Sequence, residues 1–131
     1  MSTVIEQSVE TYGIENGGAD YFGVNRKGHL IVRAPENENL TADVKEIVED
    51  LRKRGVNTPV LLRFPQLIFG QIRKLQTAFR KSIKEFEYEG GHLCVFPMKV
   101  NSNRAVIEEY LREGTRYNFG LEAGSKAELY A

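Results

Sequence analysis

Lys99 is the residue whose type and position most readily suggest chemistry. It ends an apolar run, from Leu93 to Met98, that predicts a buried β-strand over residues 92–99. An ammonium group beside such a strand loses hydration, which favours the neutral amine and makes it a usable Schiff-base nucleophile. A lysine at a strand end can also extend its ammonium into solvent, and the pattern alone favours that interpretation.

Glu122 is the second candidate, because it stands at the end of a second predicted strand, Tyr117 to Leu121. If this strand lies parallel to the one that leads to Lys99, carboxylate and ammonium share one edge of the sheet and could form an ion pair. A polar residue at the start of an exposed loop explains Glu122 equally well. The sequence offers a catalytic pair without deciding between these interpretations.

The other chemically active side chains have simpler explanations. Cys94 lies within the apolar run and is expected to be a small buried hydrophobe. His29 and His92 lack the spacing of metal ligands, so no metal site is predicted. The sequence contains no Gly-rich phosphate loop, no G-x-S-x-G and no H-E-x-x-H motif.

A predicted helix between residues 66 and 86 has one apolar and one basic face. The apolar face contains Ile68, Ile72, Leu75, Phe79, Ile83 and Phe86, and the basic face contains Arg73, Lys74, Arg80, Lys81 and Lys84. A basic stripe could contact phosphate, but a chain with a net charge of zero more often uses it as a solvated outer face. We therefore expect no nucleic-acid partner.

Composition limits the class of protein. The 131 residues suit one ordinary domain, and 18 basic residues balance 18 acidic ones, which excludes a strongly basic nucleic-acid binder and an acidic disordered tail. The single cysteine excludes an internal disulfide and is typical of reducing compartments. No apolar run approaches the ~18 residues that span a bilayer, and the first residues do not resemble a signal peptide. We expect a cytoplasmic protein that does not bind membranes.

The first half of the chain predicts a β-hairpin, a helix and a strand. In order, the predicted elements are an irregular lead-in over residues 1–20, hairpin strands over 21–24 and 29–33, a surface loop over 34–39, a helix capped by Thr41 and ended by Gly55, and a mostly buried strand over 59–65.

The second half alternates between strands and helices, which is typical of an α/β fold with parallel strands. The helix over 66–86 is followed by the strand over 92–99, a helix over 105–114 with Glu108 paired to Arg112, the strand over 117–121, and a capping box from Ser125 to Glu128. Only a few residues follow the capping box that would begin the last helix, and two parallel strands are too few for a stable sheet. We expect a piece of a longer protein with an unpaired strand edge.

Two segments resemble the biosynthetic arginine decarboxylases, a class-II family within the ornithine, lysine and arginine decarboxylases. Phe96-Pro97-Met98-Lys99-Val100-Asn101 is similar to that family's Tyr-Pro-Ile-Lys-Val-Asn motif, and residues 117–129 are similar almost letter for letter. Shorter similarities lie at residues 21–29 and 62–65, whereas Gly23 and Ser102 replace the family's usual Asp and Gln. The resemblance covers roughly residues 12–131, and its two long motifs make it specific.

The resemblance implies a pyridoxal-phosphate enzyme with an alanine-racemase-like (β/α)8 barrel flanked by a β domain. Residues 1–65 would belong to the flanking domain, and residues 66–131 would form the connecting helix and the first two βα units of the barrel, as an N-terminal fragment. Lys99 would hold the cofactor as a Schiff base, and Glu122, where ornithine decarboxylases have Asp, would lie close to it.

By the same resemblance, L-arginine would be converted to agmatine and CO2 in polyamine and spermidine biosynthesis. The family also implies magnesium, for which no ligands can be identified in the sequence, and a homo-oligomer. The phosphate loop, the acid partner of the pyridine nitrogen and the general acid would lie outside this chain. We therefore expect the 131 residues to be inactive alone.

Two alternatives stay open. Another pyridoxal-phosphate enzyme of the same fold, such as a diaminopimelate or ornithine decarboxylase or a racemase, would share Lys99, although the string from Gly120 to Leu129 argues against it. A non-catalytic half-barrel that binds a partner chain is the alternative from a different class.

Overall fold

Two sheets organise the chain, one in each of two units. The computed structural model describes residues 3–18 and 21–130, and it divides into Met1–Arg63 and Phe64–Ala131. The first unit holds a three-stranded sheet in the order β1-β2-β3, and the second holds a two-stranded sheet. The chain therefore has the mixed α/β architecture that the sequence predicts.

The predicted hairpin is confirmed. β1 (Phe22–Val24) pairs antiparallel with β2 (Leu30–Ala34). In the turn between them, Asn25 donates its backbone N–H to the carbonyl of His29, and its side-chain oxygen accepts the His29 N–H at 3.0 Å. Gly28 has a φ of 78°, a left-handed conformation that glycine adopts without steric cost.

A third strand lies where the sequence predicted a surface loop over residues 34–39. β3 (Asn37–Asp43) runs antiparallel to β2, with a shift of register between Arg33 and Ala34. Its first five residues are exposed, so pairing with β2 rather than burial holds the strand in place. The loop prediction was wrong because an exposed polar strand shows no apolar alternation.

The irregular lead-in predicted for residues 1–20 was also wrong over most of its length. α1 (Val4–Tyr12) begins at a capping box, in which the Thr3 side chain accepts the N–H of Glu6 and the Glu6 carboxylate accepts the N–H of Thr3. Gly13 ends the helix in the left-handed conformation. Residues 1, 2, 19 and 20 of the predicted lead-in lie outside the described residues.

α2 (Val44–Lys53) begins later than predicted. Thr41 belongs to β3, and the cap is Asp43, whose carboxylate accepts the N–H of Glu46 at 3.1 Å. Gly55 follows the end of the helix with a φ of 83°. The sequence located the helix correctly but selected the wrong capping residue.

The strand predicted over residues 59–65 is absent. Residues 59–64 lie in neither a helix nor a strand, Pro65 begins the next helix, and Leu61 is 73% exposed. An apolar run forms a strand only when a neighbouring strand accepts its backbone hydrogen bonds, and no described strand pairs with this segment.

Two predicted helices form the body of the second unit. α3 (Pro65–Glu85) and α4 (Arg104–Gly114) pack together and bury Ile72, Val106 and Ile107. The apolar face predicted for α3 is covered only in part, since Phe79 is 42% exposed and Phe86 is 76% exposed. Both helices are confirmed.

Charged residues of α3 and α4 pair differently from the prediction. Glu113 is 8% exposed and lies between Arg73, at 3.5 Å, and Arg116, at 3.7 Å. The predicted pair of Glu108 and Arg112 was wrong. Glu108 accepts from Arg104 at 2.6 Å, and Arg112 pairs with Glu109, three residues before it on the helix.

None of the helices in the described ranges is long and apolar enough to cross a membrane.

Candidate active site

Two short parallel strands carry the segments that hold Lys99 and Glu122. β4 (Val95–Pro97) pairs with β5 (Gly120–Glu122), and Val95 lies opposite Gly120. The backbone N–H of Gly120 donates to the carbonyl of Cys94 at 2.8 Å. Both strands are shorter than the predicted ranges 92–99 and 117–121, but their parallel pairing is confirmed.

Lys99 lies just beyond the carboxyl end of β4. It belongs to a single 3-10 turn, Met98–Val100, which begins directly after Pro97. The side chain is exposed and makes no ion pair with any residue that the structure describes. Its amine is therefore accessible at the edge of the sheet, which agrees with the solvent-extended lysine that the pattern alone favours and not with an amine buried against an apolar strand.

Glu122 lies on the same edge of the sheet. Its side chain is half-buried, and in the pairing of the two strands it stands opposite Pro97. Pro97 precedes Lys99 by two residues. No ion pair joins Glu122 to Lys99 within the described residues. The structure places both residues on the edge that the sequence predicted, without showing the direct contact between them.

A second carboxylate, that of Glu128, adjoins Glu122 at Gly124. A methyl group added at Gly124 would lie 3.4 Å from the Oε1 of Glu122 and 3.5 Å from the Oε2 of Glu128. Glu128 Oε2 also accepts the N–H of Gly124 at 2.6 Å. The Glu128 carboxylate is thus engaged in a hydrogen bond with the backbone, whereas the Glu122 carboxylate lies at the end of β5.

The capping box predicted at Ser125 begins a helix. The hydroxyl oxygen of Ser125 accepts the N–H of Glu128 at 3.1 Å, and α5 (Lys126–Tyr130) follows. The Glu128 side chain reaches back to the N–H of Gly124 rather than to that of the capping residue. The start of the helix is confirmed, but the contact from the Glu128 carboxylate spans four residues where the usual capping box spans three.

An aromatic stack below the edge of the sheet supports this arrangement. The Tyr110 ring of α4 stacks on Phe96 of β4, with ring centroids 4.0 Å apart and ring planes 16° apart. The same ring contacts Phe119 at 5.9 Å. Burial, with a smaller effect of Cys94, raises the pKa of the Tyr110 hydroxyl above its usual value. The sequence predicts the helix that carries Tyr110 but not the rings that Tyr110 meets.

The remaining candidates are structural. His92 stacks on Phe79 at 3.7 Å, and its Nδ1 lies 3.4 Å from the side-chain oxygen of the buried Gln76. Cys94 is half-buried within the strand segment. Residues 3–18 and 21–130 contain no group of three His, Cys, Asp or Glu side chains that could hold a metal ion. His29 forms an unpredicted polar network, described below.

Comparison with known proteins finds sequence relatives that all carry the name biosynthetic arginine decarboxylase. The chain is 42% identical over 127 residues to the biosynthetic arginine decarboxylase of Bacteroides thetaiotaomicron, covering 97% of the chain and 20% of the relative. It is equally similar, with the same coverage, to the enzyme of that name in Phocaeicola vulgatus. The similarity to the enzyme from Gloeobacter violaceus is 42% over 125 residues, covering 95% of the chain and 19% of the relative.

The crystal structure of the biosynthetic arginine decarboxylase from Campylobacter jejuni matches with a TM-score of 0.80 and 39% identity. The match covers 91% of the chain and 20% of that structure. No protein-family model matches the chain. The resemblance stated from the sequence is confirmed, and the chain spans about a fifth of the length of the relatives it matches.

Proposed function

We propose that this chain is part of a biosynthetic arginine decarboxylase and that Lys99 is the residue that binds pyridoxal phosphate. The observation that carries the proposal is the placement of the two family-like segments, which include adjacent parallel strands and bring Lys99 and Glu122 to one edge of the sheet. Active sites of α/β barrels form at this edge. Similarity to relatives with this name over 97% of the chain supports the choice of arginine as the substrate.

The residues at the edge suit the chemistry of a carbonyl cofactor. Pyridoxal phosphate supplies, when bound, an aldehyde that condenses with amines and a ring that accepts the electrons released when a carboxylate leaves as CO2. Lys99 offers an exposed primary amine, unpaired within the described residues, and such an amine can condense with an aldehyde. Its position directly after β4 means that the packing of that strand sets where the amine lies.

Glu122 is assigned a supporting role. Its carboxylate is half-buried at the end of β5, on the same edge as the lysine. A carboxylate in this position stabilises positive charge on a nearby nitrogen and can hold a proton close to it. Since Glu128 is occupied with the N–H of Gly124, Glu122 is the carboxylate of this pair that we assign to the site.

The wider features expected of the family complete the proposal. We propose that residues 66–131 contribute the first units of a (β/α)8 barrel, that the whole protein works in the cytoplasm as a homo-oligomer, and that agmatine is its product. Magnesium is a separate matter. The described residues contain no cluster of three metal-ligating side chains, so the magnesium that the resemblance implies is assigned no ligands and no step among them.

A segment exchange tests the function. The aligned segment of the Bacteroides thetaiotaomicron relative is replaced by these residues, and the release of labelled CO2 from carboxyl-labelled arginine is measured. We expect the chimera to release CO2 and its Lys99→Ala variant to release none above background. Lys81→Ala is the matched control, because Lys81 is exposed on α3 and belongs to neither of the two strand segments that carry Lys99 and Glu122. This control is expected to keep the activity of the chimera.

A chimera that unfolds cooperatively and binds the cofactor but releases no CO2, beside an active parent relative, would contradict the proposal. Release of CO2 by the Lys99→Ala chimera would contradict the role of the lysine alone. Activity toward ornithine or diaminopimelate in place of arginine would identify another decarboxylase of the same fold.

A further inference from the structure

A groove in the first unit is lined by residues that the proposed function does not use. It has a volume of about 360 Å³ and lies between the end of α1, the start of β2 and one face of α2. Its charged and polar lining residues are Tyr12, His29, Lys45, Glu49 and Arg52. The rest of the wall is apolar and includes Leu30, Val44 and Val48.

A hydrogen-bonded network fixes the imidazole of His29 at the wall of this groove. Asp43 Oδ2 lies 2.9 Å from His29 Nδ1 and accepts from the side-chain nitrogen of Asn25 at 2.7 Å. The other oxygen of Asp43 accepts the N–H of Glu46. The imidazole and the carboxylate are both largely buried. In the neutral imidazole, a proton on Nδ1 satisfies the Asp43 acceptor and leaves a lone pair on Nε2.

His29 in turn positions the ammonium of Lys45. His29 Nε2 lies 3.4 Å from Lys45 Nζ, so the lone pair of the imidazole can accept one of the three ammonium hydrogens. Glu49 lies 3.7 Å from the same nitrogen. A lysine side chain normally samples many conformations, and these two contacts favour those in which its charge lies at the groove, where the remaining ammonium hydrogens can reach a ligand.

The charges of the groove favour one negative charge over two. Lys45 and Arg52 are seven residues apart, which places them on the same face of α2, and Glu49 lies between them. Arg52 makes no ion pair with any residue in the described ranges. The lining therefore carries two positive charges and one negative charge beside an apolar wall, which suits a monoanion better than a dianion.

We propose that this groove binds a small organic carboxylate with an apolar body. Lys45 donates to the carboxylate, Val44 and Val48 contact the apolar body, and Arg52 adds attraction at longer range. The network from Asn25 through Asp43 and His29 keeps Lys45 in position. This inference is independent of the proposed function, because it uses only residues of the first unit.

Three related probes test the chemistry of the groove. The 131-residue chain, labelled with nitrogen-15, is titrated with sodium benzoate, with the neutral benzamide and with the dianionic phenyl phosphate, and backbone amide shifts are followed. We expect benzoate to saturate at millimolar concentration and to move the amides of Leu30, Lys45 and Val48. Benzamide has nearly the same shape without the charge and is expected to bind at least several-fold more weakly.

Substitutions on α2 separate the groove from the general charge of the helix. Lys45→Gln is expected to weaken benzoate binding roughly fivefold and Arg52→Gln roughly twofold, the range that exposed ion pairs give. Lys53→Gln is the matched control, because it removes the same charge from an exposed position outside the groove. All three positions are exposed, so the variants are expected to keep the amide spectrum of the parent elsewhere.

Four results would overturn the inference: no saturable shift with benzoate, equal binding of benzamide, tighter binding of phenyl phosphate, or an effect of Lys53→Gln as large as that of Lys45→Gln. Equal binding of benzamide would mean that the groove selects only an apolar body. None of these results bears on decarboxylation by the chimera, so the two proposals fail or stand separately.

Discussion

Tyr110 of α4 stacks on Phe96 of β4 three residues before Lys99, with ring centroids 4.0 Å apart. The contact ties the helix to the strand at the last point before the chain turns toward the edge of the sheet. Small displacements of β4 would move the lysine, because only Pro97 and Met98 separate it from Phe96. The stack is therefore the packing element that most directly sets the position of the proposed catalytic amine.

The ring of Tyr110, rather than its hydroxyl, is expected to stabilise the second unit. Tyr110→Ala should lower the free energy of unfolding by about 2–3 kcal/mol, since it removes a half-buried ring and both of its aromatic contacts. Tyr110→Phe keeps the ring and should cost less than about 0.5 kcal/mol. Urea unfolding of the 131-residue chain measures both values, and equal losses in the two variants would show that the stack is unimportant.

Gly114 and Gly120 are expected to respond to different extents to the same substitution. A methyl group at Gly114 would lie 2.8 Å from the Cβ of Phe119, whereas one at Gly120 would meet Val95 at 3.5 Å, an ordinary contact distance. Gly114→Ala should therefore destabilise the chain by about 1–3 kcal/mol, as overpacking does. Gly120→Ala is the control, with a smaller expected effect on the thermal midpoint. A larger loss at Gly120 would contradict the close approach of Gly114 to Phe119.

Asp43 should make the first unit less stable in acid. Partial burial alone would raise the pKa of Asp43, but hydrogen bonds from His29, Glu46 and Asn25 together lower it below its usual value. The folded-state pKa thus lies below the unfolded value of about 3.9, so the contribution is present above about pH 4 and is lost as the pH falls through the folded-state pKa.

The substitution Asp43→Asn isolates this effect, because asparagine caps a helix as well as aspartate does but does not titrate in this range. The variant should show a flatter dependence of stability on pH below about pH 4, measured by denaturant unfolding at several pH values. Asp50→Asn on the same helix is the control, since the carboxylate of Asp50 pairs with Arg54 at the surface. A slope in Asp43→Asn equal to that of the parent would refute the prediction.

Lys99 should react selectively with pyridoxal phosphate. Treatment of the cofactor-loaded chimera with borohydride, followed by peptide mapping, is expected to place the label on Lys99 and not on the exposed Lys81. Loss of the lysine should reduce decarboxylation by roughly three orders of magnitude or more, as removal of a covalent catalyst does. Label spread evenly over the exposed lysines would indicate that this amine has no special environment.

The sequence predicts the elements whose signals are local and repeated. Helical spacing identifies α3 and α4, and the turn with Asn25 and Gly28 identifies the hairpin. The strand β3 could not be found in this way, because its side chains are mostly polar and exposed and only its pairing with β2 defines it. The signal of α1 was present in Thr3 and Glu6 but was obscured by the glycines that follow.

The candidate site was predictable in position but not in contacts. The ends of β4 and β5 follow from the order of the elements, so Lys99 and Glu122 could be placed on one edge of the sheet. Which carboxylate is free depends on the turn at Gly124, where a side-chain oxygen captures a backbone N–H across four residues. Such a contact depends on the conformation of the turn and produces no repeating pattern in the sequence.

The stack of Tyr110 on Phe96 also separates two kinds of evolutionary constraint along one short segment. Phe96 is committed to packing against α4, whereas Lys99, three residues later, has left the strand and is exposed. A lineage could therefore exchange residues of the turn Met98–Val100 and acquire a different reactivity while the packing that supports the strand stays intact. Packing and the proposed reactivity are thus carried by different residues of one short segment.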